Sequence, residues 1–169
     1  METETATAAE AAVDQNDVRW LADEEQCAWR TYLDVNRLLT YQMEKDLQPF
    51  GLTMNDYEIL VNLSEAAEKR LRMSDLASAT LQSKSRLSHQ ITRMENAGLV
   101  RRENCESDRR GLYAVLTDDG MSTMRRVAPH HVDSVRRHFI DLLTPQQLAD
   151  LRTAMKPVAD NLRQVRGRG

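Results

Sequence analysis

The sequence has few aromatic side chains and no long apolar run. Aromatic residues make up 5% of its 169 residues, and no uninterrupted apolar stretch approaches the roughly 20 residues that a transmembrane helix needs. The N-terminus, METETATAAEAAVDQND, has neither the basic start nor the apolar stretch of a signal peptide. We therefore expect a soluble, cytoplasmic protein without membrane contact, whose residues 1–17 form a disordered acidic tail.

Motifs for metal binding and catalysis are also missing. The cysteines, Cys27 and Cys105, stand far apart with no CxxC pattern, which argues against a disulfide framework and a structural zinc. The sequence contains no glycine-rich phosphate loop, HExxH motif or nucleophile elbow. Its four histidines have no metal-ligand partners near them in sequence. We therefore predict a protein that is not an enzyme and holds no metal or other cofactor.

The net charge of −3 hides an uneven distribution along the chain. Residues 1–69 hold 5 basic and 15 acidic residues, whereas residues 70–117 hold 9 basic and 5 acidic residues. Residues 118–169 hold 9 basic and 6 acidic residues. A basic segment after a strongly acidic one is typical of a local nucleic-acid footprint, although an ordinary solvated surface reaches such a charge as well.

Residues 53–117 combine short helical patterns with a hairpin. Thr53 is a candidate N-cap with Asp56 three residues on. SDLASATLQSKSRLSHQITRMENAG holds two further helical segments around a tight turn, and Gly98 ends the second. We expect RLRM, at 70–73, to be no more than a β-bridge. Candidate caps of the other helices are Ser74, Ser83 or Ser85, Thr117 and Thr144. This order predicts an α+β fold, mainly α with a small β-wing: a winged helix-turn-helix.

Long helices are predicted on both sides of this domain, in residues 18–50 and 118–166. Apolar residues recur there at the spacing of an amphipathic helix, and we expect a bend at Pro129. A compact winged helix alone cannot cover these apolar stripes. Two interpretations remain open: the helices pack on each other within one chain, or they interleave with a second copy as the dimerisation helices of a homodimer.

The helix in SKSRLSHQITRMENAG carries the strongest functional signal. Leu87, Ile91 and Met94 define its buried side, and the opposite side carries hydrogen-bond donors and no carboxylate. Such a helix fits the DNA major groove, where Arg and Lys bind guanine while Ser and Thr bind bases or phosphates. We predict base contacts for Ser85, Arg86 and His89, and backbone contacts for Lys84, Ser88 and Arg93. The alternative is an ordinary solvated helix face.

The stretch ESDRRG, residues 106–111, lies between two predicted strands. Asp108 can accept a hydrogen bond from Arg110 and hold its guanidinium away from the sheet, which suits the negative potential of a narrow A·T-rich minor groove. Arg109 and Arg101 or Arg102 would contact phosphates on either side. The alternative is a charged hairpin tip that only keeps the protein soluble.

Together these residues resemble the MarR family of bacterial transcriptional regulators. The likeness includes the junction LExxGLVxR, here MENAGLVRR, the DxR wing of Asp108 and Arg110, and the LTxxG motif, here LTDDG. Leu87, Ile91 and Gly98 match the frame of the family's recognition helix. In helix order, the likeness covers roughly residues 20–165.

The resemblance implies a homodimer with interleaved N- and C-terminal helices. Each subunit would place its winged helix on half of a pseudo-palindromic operator in double-stranded DNA, with the half-sites about one helical turn apart. Most members are repressors that a small phenolic or anionic ligand releases. The implied ligand site is lined by Trp29, Tyr32, Tyr57, His130, His131 and Arg136. As alternatives, Trp29 and Tyr57 belong to the core, and the two histidines lie in a solvated bend.

Two further interpretations stay open. Some relatives sense peroxide through a cysteine in the first helix, and Cys27 lies in the corresponding helix, so the chain could be a redox-sensing regulator. The winged-helix fold also serves as a protein-docking module, which would show little affinity for DNA at any salt concentration.

Overall fold

A computed structural model of the chain describes residues 18–105 and 108–166, with residues 108–110 described by their backbone alone. The acidic tail predicted for residues 1–17 lies outside the described residues. The chain divides after Arg37 into two compact units. The first unit contains the start of a long helix, α1 (Asp23–Leu47), and the second unit contains the end of α1 and the elements that follow.

The described part of the second unit is mainly helical with a small antiparallel sheet, so the predicted fold class is confirmed. The sheet has the strand order β1-β3-β2, which places the last strand in the centre. Its strands are β1 (Arg70–Arg72), β2 (Val100–Cys105) and β3 (Asp108–Leu116). The helices are α2 (Met54–Glu65), α3 (Met73–Ala79), α4 (Lys84–Asn96), α5 (Asp118–His138) and α6 (Pro145–Arg166), with short 3₁₀ turns at Gln48–Phe50, Ala67–Lys69 and Ile140–Leu142.

Four helices begin at caps that the sequence predicts. Thr53 and Asp56 form a reciprocal capping box at the start of α2. The Ser83 hydroxyl accepts a backbone hydrogen bond of 3.2 Å at the start of α4, and the Thr117 hydroxyl accepts one of 2.9 Å at the start of α5. Thr144 accepts a backbone hydrogen bond of 3.2 Å at the start of α6. Local sequence therefore sets these helix starts.

Several boundary predictions are wrong. Ser74 does not cap α3, because that helix begins at Met73 without a side-chain cap. The stretch Arg70–Arg72 is a full strand, since it pairs with β3 over three residues. β3 begins at Asp108, so residues 108–111 extend the hairpin as a strand. α5 continues through Pro129 as one helix, and the bend expected there stays a prediction.

The junction between the sheet and α5 explains the motif LTDDG. Gly120 packs so closely on the chain that an added Cβ would lie 2.0 Å from the carbonyl oxygen of Leu99, which excludes any larger residue. The Thr117 hydroxyl donates to the carbonyl of Gly98 at 2.7 Å. Gly98 itself has φ +73°, the left-handed conformation that ends α4. These contacts fix the start of α5 against the end of α4.

One hydrophobic core holds the winged helix together. It draws on α2, α3, α4, the sheet and α5, and α4 contributes Leu87, Ile91 and Met94, as the sequence predicts. Burying such side chains stabilises a fold by about 1.5–3 kcal/mol each. The remaining buried members are Leu47, Leu52, Tyr57, Ile59, Leu60, Leu63, Leu76, Ala77, Val100, Ala114, Leu116 and Val127. Because α4 is wedged into this core, its outward face has a fixed direction.

Helix α6 contrasts with this core. The structure describes every residue of α6, and none of them is buried. Its apolar residues recur at alternating spacings of three and four, at Leu148, Leu151, Met155, Val158, Leu162 and Val165. No helix among the described residues is long and apolar enough to cross a membrane.

Candidate nucleic-acid interface

The outward face of α4 is built from polar and basic side chains. Lys84, Ser85, Arg86, Ser88 and His89 are all exposed, whereas Leu87 between them is fully buried. This alternation follows from the helical period, which turns every third or fourth side chain inward. The structure therefore brings these five predicted contact residues onto the solvent-facing side of one helix.

Two basic residues, Lys84 and Arg86, lie at the exposed start of α4. Within the part of the chain that the structure describes, no carboxylate pairs with Lys84 or Arg86. The start of a helix also carries the positive end of its dipole, which adds to their charge. This end of α4 is consequently an exposed cationic surface.

A cleft of about 360 Å³ separates α4 from the hairpin. Its basic residues come from three elements: Lys84 from α4, Arg102 from β2, and Arg72 at the end of β1. No carboxylate lines it among the described residues. Its other lining residues are Met73, Ser74, Ser88, Gly111 and Leu112. The lining is therefore basic and carries no described carboxylate, but the Arg102 guanidinium is already paired with Glu95.

Arg102 ties the hairpin to α4. Its guanidinium pairs with Glu95 and donates to the carbonyl oxygen of Ser88 at 2.7 Å and to the Thr92 hydroxyl at 3.1 Å. Its backbone N–H donates to the other Glu95 oxygen at 2.7 Å. The sequence does not predict this clamp, because it depends on how β2 packs on α4.

Arg93, a predicted backbone contact, pairs with a carboxylate of the core. Its guanidinium lies on Asp56, which is 1% exposed, whereas the Arg93 side chain is 54% exposed. Burial opposes ionisation of Asp56, but hydrogen bonds from Arg93, from Thr53 and from Gln90 outweigh it and hold the pKa of Asp56 below its usual value of 3.8. Arg93 is therefore the neutralising partner of a buried anion.

The wing is the antiparallel pair of β2 and β3, whose register is irregular near Cys105. A register shift between Asn104 and Cys105 marks a bulge, and Cys105 pairs with Asp108 across the hairpin. The side chains of the predicted wing residues Asp108, Arg109 and Arg110 lie outside the described residues. On the neighbouring strand, Arg101 is paired with Glu103.

The predicted ligand-site residues belong to both units of the chain. In the first unit, Trp29 and Tyr32 stack with their ring centroids 5.7 Å apart, and Trp29 is 51% exposed, which does not fit a core position in this chain. In the second unit, Tyr57 is buried with its ring centroid 4.4 Å from that of His131, and Arg136 pairs with Asp141 at 2.6 Å.

The two histidines after Pro129 differ in exposure: His130 is exposed, as expected of a solvated position, whereas His131 is half-buried. His130 packs on Phe50, with 4.9 Å between ring centroids, and His131 packs on Tyr57. Burial lowers the pKa of His131 below its usual value of 6.5, because no described charge compensates for the lost solvation. Neutral His131 is therefore part of the packing of α5 on α2.

A second cavity, of about 400 Å³, lies beside His130 and was not foreseen from the sequence. Its charged lining residues are Lys45, Asp46, Asp133 and Arg137, and Pro49 and Phe50 complete it. The Ser134 hydroxyl donates to Asp46 at 2.6 Å, and together with Gln42 and His138 it holds the pKa of Asp46 below its usual value in spite of partial burial. The cavity mixes charges of both signs with one aromatic ring.

The cysteines differ in access: Cys27 is exposed, and Cys105 is buried at the hairpin. Across residues 18–105 and 108–166, no cluster of three or more histidine, cysteine, aspartate or glutamate side chains is arranged to hold a metal ion.

Comparison with known proteins agrees with this arrangement. A sequence model of the MarR family matches residues 50–111. The crystal structure of AbsC, a MarR family transcriptional regulator from Streptomyces coelicolor, is 77% identical, with a TM-score of 0.84 over 87% of this chain and 99% of that one. Sco3205, a MarR family transcriptional regulator from the same organism in complex with DNA, is 44% identical, with a TM-score of 0.83 over 87% and 92% of the two chains.

A more distant relative is the HTH-type transcriptional regulator PecS of Dickeya dadantii. It is 30% identical over 112 residues, which span 66% of this chain and 65% of PecS. The chain therefore spans just under two thirds of this relative but nearly all of the AbsC structure. The winged-helix frame, the motifs at its junctions and the identity to AbsC lead to one conclusion: the chain belongs to the MarR family of transcriptional regulators.

Proposed function

We propose that the chain is a sequence-specific DNA-binding transcriptional regulator that inserts α4 into the major groove. The exposed, carboxylate-free face at the start of α4 carries this proposal, because it presents unpaired cations on a helix that the core holds rigidly. Ser85, Arg86 and His89 would meet base edges, while Lys84 and Ser88 would bind phosphates. The relative Sco3205 was crystallised in complex with DNA, which supports the proposal.

The wing is the second DNA contact of this proposal. Asp108 would orient Arg110 into a minor groove, and Arg109 would bind a neighbouring phosphate. The clamp between Arg102 and Glu95 supports this part, because it links the hairpin to α4 so that both meet DNA as one body.

The proposed active form is a homodimer on a pseudo-palindromic operator. The apolar stripe of α6 supports it, because Val158, Leu162 and Val165 are each more than half exposed in the single chain. Their alternating spacing of three and four is that of a helix seam that packs against another helix. Exposed apolar stripes of this size mark interaction sites. In the dimer, two copies of α4 would face successive turns of the major groove.

In this proposal the dimer is a repressor that a small phenolic or anionic ligand releases. The predicted ligand contacts are Trp29 and Tyr32 in the first unit, and Tyr57, His131 and Arg136 in the second. The exposed stacked pair of Trp29 and Tyr32 supports an aromatic ligand, because such rings offer a flat apolar surface with a polar rim.

Fluorescence anisotropy tests the proposal. The purified chain is titrated against labelled duplex DNA from immediately upstream of its own gene, and against a scrambled duplex of the same composition, at two salt concentrations. We expect preferential binding that weakens as salt rises, with two chains per duplex. Equal binding to both duplexes would contradict sequence-specific recognition, and no binding to either at low salt would favour a protein-docking module. The preferred complex is then used to screen phenolic carboxylates for release.

A further inference from the structure

The carboxylate of Asp56 serves two helices at once. Its Oδ2 accepts from the Thr53 backbone at 2.9 Å and from the Thr53 hydroxyl at 2.8 Å, and thereby caps α2. Its Oδ1 accepts from the Gln90 amide at 3.1 Å and from the Arg93 guanidinium. A capping box needs only the first set of contacts, so the second set has another role.

These contacts reach α4 at two points on one side. Gln90 and Arg93 are three residues apart and are therefore neighbours on the surface of α4. Both side chains donate to the same oxygen atom, Oδ1 of Asp56, which is buried in the core at the start of α2. Two contacts to one fixed point resist both rotation of α4 about its axis and sliding along it.

The rotation of α4 decides where its DNA-facing residues point. Arg86 and Arg93 are seven positions apart, which is about 20° short of two full turns at 100° per residue, so they lie along nearly the same line on the helix. Whatever fixes the direction of Arg93 consequently fixes the direction of Arg86, roughly 10 Å further along the axis.

We propose that Asp56 is a positioning residue for DNA recognition, which acts through Arg93 and Gln90 without touching DNA. Arg93, which its sequence context marks as a phosphate contact, is then an anchor of α4 to α2. The inference deepens the proposed DNA-binding function and rests on it. The sequence alone indicates a helix cap for Asp56 and a DNA contact for Arg93.

The alternative role of Arg93 makes the opposite prediction for the same substitution. If Arg93 binds a phosphate, Asp56 competes with DNA for its guanidinium. Asp56→Asn would then release the cation, remove a negative charge and strengthen DNA binding. If Asp56 positions α4, Asp56→Asn loosens the helix and weakens DNA binding although every cation is still present.

The test compares full-length wild type, Asp56→Asn, Arg93→Gln and the double variant on the upstream duplex, by anisotropy at four salt concentrations. We expect each single variant to bind about tenfold more weakly than wild type. The double variant should lose no more than either single variant, because both remove the same coupling.

The salt dependence provides the readout that separates positioning from direct binding. Removing one phosphate contact lowers the log–log salt slope by about 0.9, so removing it from both subunits lowers the slope by about 1.8. We expect Arg93→Gln to keep the wild-type slope and Lys84→Gln, as the positive control, to lower it. A reduced slope for Arg93→Gln, or stronger binding by Asp56→Asn, would overturn the inference.

Loss of stability is controlled separately. Ser134→Ala removes the partly buried hydrogen bond to Asp46 and should lower the melting temperature without weakening DNA binding. If Asp56→Asn does not fold, the slope of Arg93→Gln decides alone. If wild type prefers the upstream duplex but Arg93→Gln lowers the salt slope or Asp56→Asn binds more strongly, only the inference is overturned. If wild type does not prefer the upstream duplex, the proposed function is overturned together with the inference.

Discussion

The winged helix and helix α6 differ in how far they bury their apolar side chains. The winged helix buries leucines such as Leu60 and Leu87 completely within one chain. Helix α6 leaves Leu162 62% exposed and buries no residue. The winged helix therefore completes its core within a single chain, whereas α6 leaves an apolar stripe exposed, as expected if α6 is the proposed dimerisation helix.

The largest expected effect is on the stability of the winged helix. Leu60→Ala should lower the free energy of unfolding by about 3 kcal/mol, because it opens a cavity among fully buried side chains. Urea unfolding followed by circular dichroism measures it. The matched change Leu162→Ala should instead act through association, so that its effect on the free energy of unfolding shrinks as the protein is diluted below the dissociation constant. Equal losses at every concentration would erase the contrast between the two regions.

The next largest effect is expected for dimerisation through the exposed apolar stripe of α6. Leu162→Glu places a charge within the proposed seam and should weaken dimerisation about a hundredfold, since a desolvated, unpaired charge is costly at an interface. Sedimentation velocity across a dilution series measures the dissociation constant. Gln164→Glu adds the same charge on another side of α6 and should change little. Similar weakening by both variants would indicate a general charge effect.

A third effect is a pH dependence of the free energy of unfolding, and it arises from His131 where α5 packs on α2. Because burial lowers the folded-state pKa of His131 below 6.5, the unfolded chain takes up its proton first as pH falls. This contribution lowers stability as pH falls below 6.5 towards the folded-state pKa, and it vanishes above that range. Urea unfolding between pH 7.5 and 5.5 should show the loss, and His131→Gln should flatten it. A steep profile that survives His131→Gln would place the titration elsewhere.

The smallest effect is expected for an exposed ion pair of the wing. Arg101 and Glu103 are paired on the open side of β2, where water screens their attraction. Arg101→Gln should change the free energy of unfolding by less than about 0.5 kcal/mol. A larger loss in urea unfolding would mean that the hairpin depends on this pair more than on its packing.

Much of the fold could be predicted because its signals are local. Helix caps such as Thr53 and Ser83, the buried triplet of α4 and the glycine at position 98 each act within a few residues. The resemblance to the MarR family and the assignment as a regulator rather than an enzyme are confirmed by the comparisons.

The features that were missed depend on contacts between residues far apart in sequence. Asp56 and Arg93 are separated by 37 positions, and each has a satisfactory local interpretation that hides the pairing. The short strand β1 exists only because β3 pairs with it. Ser74 was a plausible cap by residue type, but the chain enters α3 directly from β1. Local patterns cannot specify such choices, because the energies involved come from packing.

The mass of the protein on DNA tests the proposed dimer most directly. Sedimentation equilibrium of the full chain with the upstream duplex, at concentrations above the dissociation constant, counts the chains in the complex. We predict two chains of 19.4 kDa per duplex, and the same dimer without DNA. A single chain bound to the duplex with wild-type affinity would contradict the proposal, because the stripe of α6 would then have no partner and each operator half-site would be read alone.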